Sequence, residues 1–280
     1  MRPPRLLWTG LAIPLLCLGT LLAENPPAAN APSPRADQAV PRLDRNSQLA
    51  HADLLRKATQ GGIDLYLVGD SITRRWGTSD PQYRDFLANW NRNFFGWNAA
   101  NFGWGSDTVQ NILWRLENGE LEGVHPKVIV LLAGANNVGD FPPPPDQVEA
   151  KAEDIVGGIR AVLRVIRQKA PRATVILMGL TPNNARGSTA VMPLIHRINE
   201  RLAPLADGKS VRFLNLNNHL ADPNGKLYDG MTVDGLHLTV KGYQVWADAL
   251  KPILTELLGP PATTDHAPPP TGDPSLRKPG

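Results

Sequence analysis

The chain has 280 residues, a hydrophobic fraction of 42% and a formal net charge of +3. This length allows one well-buried domain with extensions at its ends. No Lys/Arg-rich run is interleaved with aromatic residues, which argues against nucleic acid as a partner.

The first 23 residues have the pattern of an export signal. Arg2 and Arg5 precede an apolar stretch from Leu6 to Ala23. A positive start, an apolar core and a small residue at the cleavage point are typical of a signal peptide. The rival interpretation is an uncleaved membrane anchor, because the stretch is close to the length of a spanning helix. We favour cleavage because Pro14 interrupts the stretch, and we expect an exported protein: periplasmic, extracellular or membrane-anchored.

Composition divides the rest of the chain into three parts. Residues 24–43 are rich in Pro, Ala and Asn and predict a flexible linker. Residues 260–280 hold many prolines and few apolar side chains, which predicts a disordered tail. The folded domain is therefore expected at 44–259. The one cysteine, Cys17, lies in the export signal, so the domain has no thiol or disulfide.

Strand-like and helix-like segments alternate within this domain. Short apolar runs closed by glycine or polar residues predict strands at 63–68, 97–102, 128–132, 174–178 and 211–215. Apolar residues at helical spacing predict helices at 146–169, 194–205 and 242–258. This alternation indicates a parallel sheet covered by helices on both faces. Reactive groups in such sheets lie beyond the carboxyl ends of the strands.

The first strand is followed by Gly69-Asp70-Ser71. A strand–turn–helix junction exposes a side chain and points helix N–H groups at whatever binds there, so Ser71 is a candidate nucleophile. The alternative is a helix cap formed by Asp70 or Ser71. For this segment alone, the cap is the simpler explanation.

A serine nucleophile needs a base and a group that orients the base. Among the six histidines, His237 lies just before the last predicted helix and three residues after Asp234. One turn can hold that carboxylate and imidazole together. An ordinary helix start with an Asp near it is an equally good explanation of this pair in isolation.

Two further segments can supply donors for an oxyanion. The glycine-rich segment 101–108 follows the second predicted strand and offers backbone N–H groups. Gly134-Ala135-Asn136-Asn137 follows the third and offers a side-chain amide. The alternative for both is turn chemistry, in which Gly and Asn adopt left-handed conformations.

These segments, in this order, resemble the four sequence blocks of the SGNH hydrolases, also called GDSL esterases. The resemblance covers residues 63 to 257 and implies a three-layer α/β/α, flavodoxin-like sandwich with a mostly five-stranded parallel sheet. It also implies a catalytic triad of Ser71, Asp234 and His237. The oxyanion donors would be the backbone N–H groups of Ser71 and Ser106 and the side chain of Asn136.

Within the family, segments 101–103, 113–121 and 125–130 look especially like the catalytic subunits of intracellular platelet-activating factor acetylhydrolase. That likeness can reflect core packing instead of substrate. The sequence departs from the family at Ser106, where glycine is usual; a positive φ would be uncomfortable there. It also departs at Asn137, where many relatives have Asp.

The resemblance implies a serine esterase that removes short acyl groups, above all acetate, through a covalent acyl-enzyme. No cofactor or metal is expected, because no cluster of His, Cys and carboxylates suggests one. Export favours an O-acetylated polysaccharide as substrate. The alternatives are a platelet-activating-factor-like lipid acetyl ester and a non-catalytic carbohydrate-binding module on the same fold. A phosphate or nucleotide binder is disfavoured, since the first turn has no glycine-rich phosphate signature.

Overall fold

The computed structural model describes residues 34–60 and 62–277. The predicted export signal and residues 24–33 of the predicted linker lie outside this part of the chain. Within it, no helix combines the length and apolar character needed to cross a membrane.

The elements in chain order are α1 (Arg45–Ala58), β1 (Leu65–Gly69), α2 (Ser71–Trp76), α3 (Arg84–Phe94), β2 (Ala99–Asn101), α4 (Val109–Arg115), β3 (Val128–Leu132), α5 (Ala135–Val138), α6 (Val148–Lys169), β4 (Thr174–Met178), α7 (Met192–Leu202), β5 (Val211–Leu214), α8 (Asn217–Leu220) and α9 (Val240–Leu258).

The strands form one parallel sheet in the order β2-β1-β3-β4-β5. The predicted five-stranded parallel sheet is confirmed. β2 is shorter than the run at 97–102 predicts, because Gly96 and Asn98 have positive φ angles of 90° and 47° and form a turn before it. The other strands agree with the predicted runs to within two residues.

Two apolar cores cover the two faces of the sheet. On β1, Tyr66 and Val68 point into one core, which α1, α4, α6 and α7 complete. Leu65 and Leu67 point into the other, with α2, α3 and α9. The alternation follows from the period of two in a strand. Burial on both faces explains why the strands have continuous apolar runs.

The connections leave β1 toward β2 on one side and return to β3 on the other. This reversal of strand order opens a crevice beyond the carboxyl ends of β1 and β3, where ligands bind in open α/β sheets. Ser71 follows β1 and Asn136 follows β3. Both therefore border the crevice.

The segment 260–277, named here the C-terminal strap, lies along the domain surface and is not the disordered tail that its composition predicts. The Ala262 N–H donates to the Gly96 carbonyl at 2.9 Å, and the Ser79 N–H donates to the Thr271 carbonyl at 3.2 Å. The Asn46 side chain donates to Asp273 at 2.8 Å. Composition misses this order because the strap is held by backbone and carboxylate groups and has little apolar bulk.

The predicted domain boundary at residue 44 also moves. Ala36 is fully buried, and its N–H donates to Asp154 on α6 at 3.1 Å. The Val40 N–H donates to the Gln110 carbonyl at 3.1 Å. The last ten residues of the predicted linker, 34–43, therefore belong to the folded domain.

Candidate active site

Ser71 is the first residue of α2, directly after the turn that ends β1. Asp70 is the cap, and its Oδ1 accepts from the Ile72 N–H at 2.9 Å. The cap and the candidate nucleophile are thus different residues, which leaves the Ser71 hydroxyl free for another partner. Gly69 is required at this turn, because a Cβ there would lie 2.4 Å from the Leu132 carbonyl oxygen.

The partner of Ser71 is His237. The Ser71 Oγ lies 2.9 Å from Nε2 of His237, and Nδ1 lies 2.7 Å from Oδ2 of Asp234. With the proton on Nδ1, that nitrogen donates to the carboxylate and Nε2 accepts from the hydroxyl. The structure brings the three predicted residues into one hydrogen-bonded chain.

A tight turn presents Asp234 and His237. Asp234 Oδ1 accepts from the N–H groups of Leu236 and His237 at 3.1 and 2.8 Å. Gly235 has a φ of 85°, and a Cβ there would lie 2.4 Å from the Asn184 carbonyl oxygen. The Asp234 carboxylate therefore stabilises the turn through its own backbone N–H groups, and the loop after β4 packs closely against Gly235.

The glycine-rich loop runs beside the turn between β1 and Ser71. The Trp104 N–H donates to the Gly69 carbonyl at 3.0 Å. A Cβ at Gly103 would lie 2.5 Å from the Arg74 nitrogen, so only glycine fits between the loop and α2. Two residues after Trp104 the chain reaches Ser106, which is exposed.

Ser106 has a φ of 63°. In the described residues, Asn98 is the one other non-glycine with a positive φ. A left-handed backbone costs an ordinary L-residue about 1–2 kcal/mol. Ser106 thus adopts the positive φ that is unfavourable for a serine.

The Asn136 side chain reaches the same loop. Its Nδ2 donates to the Asp107 carbonyl at 2.8 Å, which leaves the second amide hydrogen for another acceptor. Asn137 points elsewhere: its Oδ1 accepts from the Val109 N–H, and its Nδ2 donates to Gln110, both at 2.8 Å. Of the two adjacent amides, Asn136 lies at the crevice and Asn137 fixes the start of α4.

The comparisons with known proteins identify the family. The model of the GDSL-like lipase/acylhydrolase family matches residues 67–245, more than half of the chain. The chain belongs to this family. The predicted membership is confirmed, and the protein is a carboxylic-ester hydrolase of the GDSL type.

Curated relatives cover most of the chain. The human platelet-activating factor acetylhydrolase IB subunit alpha1 is 34% identical over 236 residues, or 84% of this chain and 92% of the relative. The rat alpha2 subunit is 33% identical over 199 residues, or 70% of this chain and 77% of the relative. A GDSL-like lipase from Bacteroides thetaiotaomicron has a similar structure, with a TM-score of 0.56 and 20% sequence identity. The match covers 74% of this chain and all of the lipase chain, and it supports the fold alone.

In this GDSL protein, the surroundings of His237 favour its neutral form. Burial has the largest effect and lowers the pKa of His237; the Asp234 hydrogen bond raises it, and the Arg75 charge lowers it. For Asp234, burial alone would raise the pKa, but the hydrogen bonds from His237 and Leu236 together hold it below its usual value. A neutral imidazole beside an ionised carboxylate is the state that a general base requires.

Asp70 differs from Asp234. It is fully buried, and its Oδ2 has no hydrogen-bond partner in the described part of the chain. Burial, with a smaller contribution from Asp107, raises the pKa of Asp70 to about 7. The residue beside the candidate nucleophile is thus a carboxyl that gains its proton close to neutral pH.

Sequence reasoning did not find Arg75. It lies four residues after Ser71 on α2, a spacing that places two side chains on one helix face. Its Nη1 lies 3.8 Å from Oδ2 of Asp234, and its guanidinium lies 5.4 Å from the ring centre of Tyr83. The i, i+4 spacing from the candidate nucleophile is the signal that would have indicated it.

Trp104, next to Gly103 in the glycine-rich loop, has little surface open to a sugar. Its ring is buried, with the Arg74 guanidinium 4.6 Å from the ring centre, and its indole N–H donates to Ser47 at 2.8 Å. Packing is therefore its role. The described residues contain no group of three or more His, Cys, Asp or Glu side chains that could hold a metal ion.

Proposed function

We propose that this protein is an exported serine acetylesterase that removes acetyl groups from O-acetylated carbohydrate. The observation that carries the catalytic part is the hydrogen-bonded chain from Ser71 through His237 to Asp234 beside the Asn136 amide. The names of the acetylhydrolase relatives support the short acyl group. The export pattern of residues 1–23 supports a substrate outside the cytoplasm.

The reaction has two halves. The Ser71 Oγ attacks the ester carbonyl as His237 Nε2 takes the hydroxyl proton, and the carbonyl electrons move onto oxygen. The backbone N–H groups of Ser71 and Ser106 and the Asn136 amide are the proposed donors to that oxyanion. The tetrahedral intermediate collapses, and His237 returns the proton to the leaving alcohol. Water then repeats the sequence on the acyl-enzyme and releases acetate.

An exposed aromatic ring supports carbohydrate as the leaving group. Phe141 follows the helix that carries Asn136 and is 65% exposed. The Arg186 guanidinium lies 4.4 Å from its ring centre and joins it to the loop after β4. That loop contacts the catalytic turn, since the Asn184 N–H donates to the Gly235 carbonyl at 2.7 Å. Aromatic rings at such a rim provide an apolar face against which a sugar can pack.

The catalytic part is tested by hydrolysis of p-nitrophenyl acetate by wild-type protein and Ser71→Ala. We expect wild-type turnover and at least a 1,000-fold loss in the variant. Circular dichroism and the melting temperature check that the variant is folded. A wild-type protein without activity on any acetyl ester would favour the non-catalytic module.

The substrate is tested by acetate release from acetylated xylan, acetylated pectin and a platelet-activating-factor-like lipid. We expect carbohydrate to be preferred and Phe141→Ala to raise KM for it without changing hydrolysis of p-nitrophenyl acetate. Phe95→Ala is the control, because Phe95 is 56% exposed but precedes β2 and therefore lies at the amino ends of the strands, away from the crevice. Preference for the lipid would instead support the second candidate, which rests on the 33–34% identity to the acetylhydrolase subunits.

A further inference from the structure

A buried network of charges lies beneath the glycine-rich loop. Arg115, at the end of α4, has a side chain that is 4% exposed. Its Nε donates to Oδ2 of Asp107 at 2.7 Å, and its Nη1 donates to the Glu120 carboxylate. Both carboxylates are fully buried. Arg115 therefore cannot be removed without leaving two buried anions short of a partner.

Each acidic member also has a second cationic or titratable neighbour. Arg42 Nη1 lies 3.5 Å from Oδ1 of Asp107, and it donates to the Gly105 carbonyl at 3.1 Å. His51 Nδ1 lies 3.0 Å from Oε1 of Glu120. The network thus contacts two residues of the loop, Gly105 and Asp107.

The same guanidinium also contacts the backbone at the nucleophile turn and the start of the loop. Nη1 donates to the Phe102 carbonyl at 3.0 Å, and Nη2 lies 3.4 Å from the Gly69 carbonyl. Gly69 is two residues before Ser71. A planar group with five donors can make these contacts together with those to Asp107 and Glu120, whereas a lysine ammonium has three donors and no fixed plane.

The loop that this network holds contains the strained residue. Ser106, with its φ of 63°, directly precedes Asp107. The Asp107 side chain is fixed by Arg115, and its carbonyl accepts from Asn136 at 2.8 Å. Arg115 thus links, through one residue, two of the proposed oxyanion donors.

We infer that Arg115 is a positioning residue for the ester hydrolysis, which holds the glycine-rich loop and its left-handed Ser106 at the distance from Ser71 that oxyanion stabilisation requires. The inference rests on the proposed function, because it needs Ser106 and Asn136 to act on the oxyanion. It assigns a role in the reaction to the segment 113–121, whose likeness to the acetylhydrolase subunits could equally reflect packing.

The main test is a kinetic comparison of wild-type protein and Arg115→Lys on p-nitrophenyl acetate. We expect kcat to fall at least 30-fold while KM changes less than threefold, since the lost interaction acts in the transition state. Leu254→Ala is the control for lost stability, because Leu254 is fully buried near the far end of α9. That variant is expected to melt earlier and to keep wild-type kcat at 25 °C.

A double-mutant cycle with Ser106→Gly tests the link to the strained residue. Glycine adopts a positive φ without strain, so the loop needs less external support. We expect Ser106→Gly to improve kcat at least fivefold more in the Arg115→Lys background than in the wild-type background. A purely structural ion pair would give equal effects in both backgrounds.

Glu120→Gln is the second variant if Arg115→Lys does not fold, because it removes one anion and keeps the shape of the side chain. We expect a smaller loss of kcat and the same favourable coupling to Ser106→Gly. Active wild-type protein with kcat unaffected by both variants, or with additive cycles, would overturn the positioning role alone. Wild-type protein that does not hydrolyse the ester would overturn the proposed function and this inference together.

Discussion

The hydroxyl of Ser71 lies 2.9 Å from Nε2 of His237, although the two residues are 166 positions apart in the chain. A second contact joins the first turns of the two helices that flank this pair. The buried Tyr243 hydroxyl, on α9, donates to the Ile72 carbonyl on α2 at 2.7 Å. The helix that begins with Ser71 and the helix that follows His237 are therefore joined directly, and the Ser71–His237 distance does not depend on the turn of residues 234–237 alone.

The pH dependence of ester hydrolysis should report the environment of His237. Only the neutral imidazole accepts the Ser71 proton, so kcat/KM should rise with pH along a limb centred on the pKa of His237 in the free enzyme. Burial and the Arg75 charge lower that pKa, so we expect the midpoint below the ordinary value of 6.5. Initial rates on p-nitrophenyl acetate between pH 4.5 and 8 measure it.

Arg75→Gln should move the same limb toward higher pH. Removing a positive charge near the imidazole stabilises its protonated form and raises the pKa of His237. Arg84→Gln is the control, since Arg84 is 86% exposed and pairs with Asp85. A midpoint that stays in place or moves to lower pH in Arg75→Gln would contradict the assigned electrostatic role.

Asn136→Ala and Asn137→Ala form a matched pair of adjacent amides. Loss of an oxyanion donor costs about 3 kcal/mol in the barrier, so Asn136→Ala should lower kcat roughly 100- to 1,000-fold. Asn137→Ala should instead lower the free energy of unfolding, because the Val109 N–H loses its acceptor. Steady-state kinetics and urea unfolding of both variants separate the two effects. Equal kinetic losses would argue against Asn136 as the donor.

Asp70→Asn should change how stability depends on pH. Burial raises the pKa of Asp70 to about 7 in the folded protein, against 3.8 for the ordinary carboxyl. The stabilisation from this group is complete below the unfolded pKa and is lost as the pH rises through the folded one. Asparagine caps α2 as well as Asp does but does not ionise.

The free energy of unfolding of Asp70→Asn, relative to wild type, should therefore rise between pH 4 and 7 and then level off. Urea unfolding at pH 4, 5, 6, 7 and 8 measures the difference. Asp85→Asn provides the reference, since Asp85 is 79% exposed. A difference that is constant across this range would show that Asp70 titrates normally.

Asp273→Ala should loosen the C-terminal strap. Oδ1 of Asp273 accepts from the Asn46 side chain at 2.8 Å and the Ser275 N–H at 2.9 Å, and Oδ2 lies 3.7 Å from Arg74. Loss of hydrogen bonds to a charged group should lower the free energy of unfolding by about 1–2 kcal/mol. Proteolysis should then cut within 260–277 earlier than in wild-type protein or in the exposed-surface control Asp146→Ala. Unchanged stability and unchanged cleavage would mean that the strap is held by its backbone alone.

The sheet, and the position of Ser71 and Asn136 at one edge of it, could be predicted from the sequence for a simple physical reason. Strands buried on both faces have continuous apolar runs, and parallel strands bring their carboxyl ends to one edge. Ser71 and Asn136, which follow β1 and β3, must therefore lie near one another, whereas Asp234 and His237 come well after β5 and just before α9. The order of the four family blocks added the roles, which the spacing alone left open.

The features that sequence reasoning missed depend on contacts between distant residues. The strap is ordered by hydrogen bonds to residues such as Asn46 and Gly96, which its own composition does not encode. In the sequence, Arg75 and Arg115 look like ordinary basic residues of helices. Their roles become visible only in the fold, where Arg75 lies beside Asp234 and Arg115 beside Asp107. The positive φ of Ser106 could not be predicted from the residue type, because serine usually has a negative φ.

The position of the strap in the chain affects the order in which contacts can form during synthesis. Residues 260–277 leave the ribosome after every strand of the sheet and after His237. The Asp273 carboxylate, 3.7 Å from Arg74, thus joins the helix of Ser71 to a segment synthesised after β5 and α9. A nascent chain can form its sheet and bring Ser71, Asp234 and His237 together first. The contact between α2 and Asp273 can form only once these residues have been synthesised.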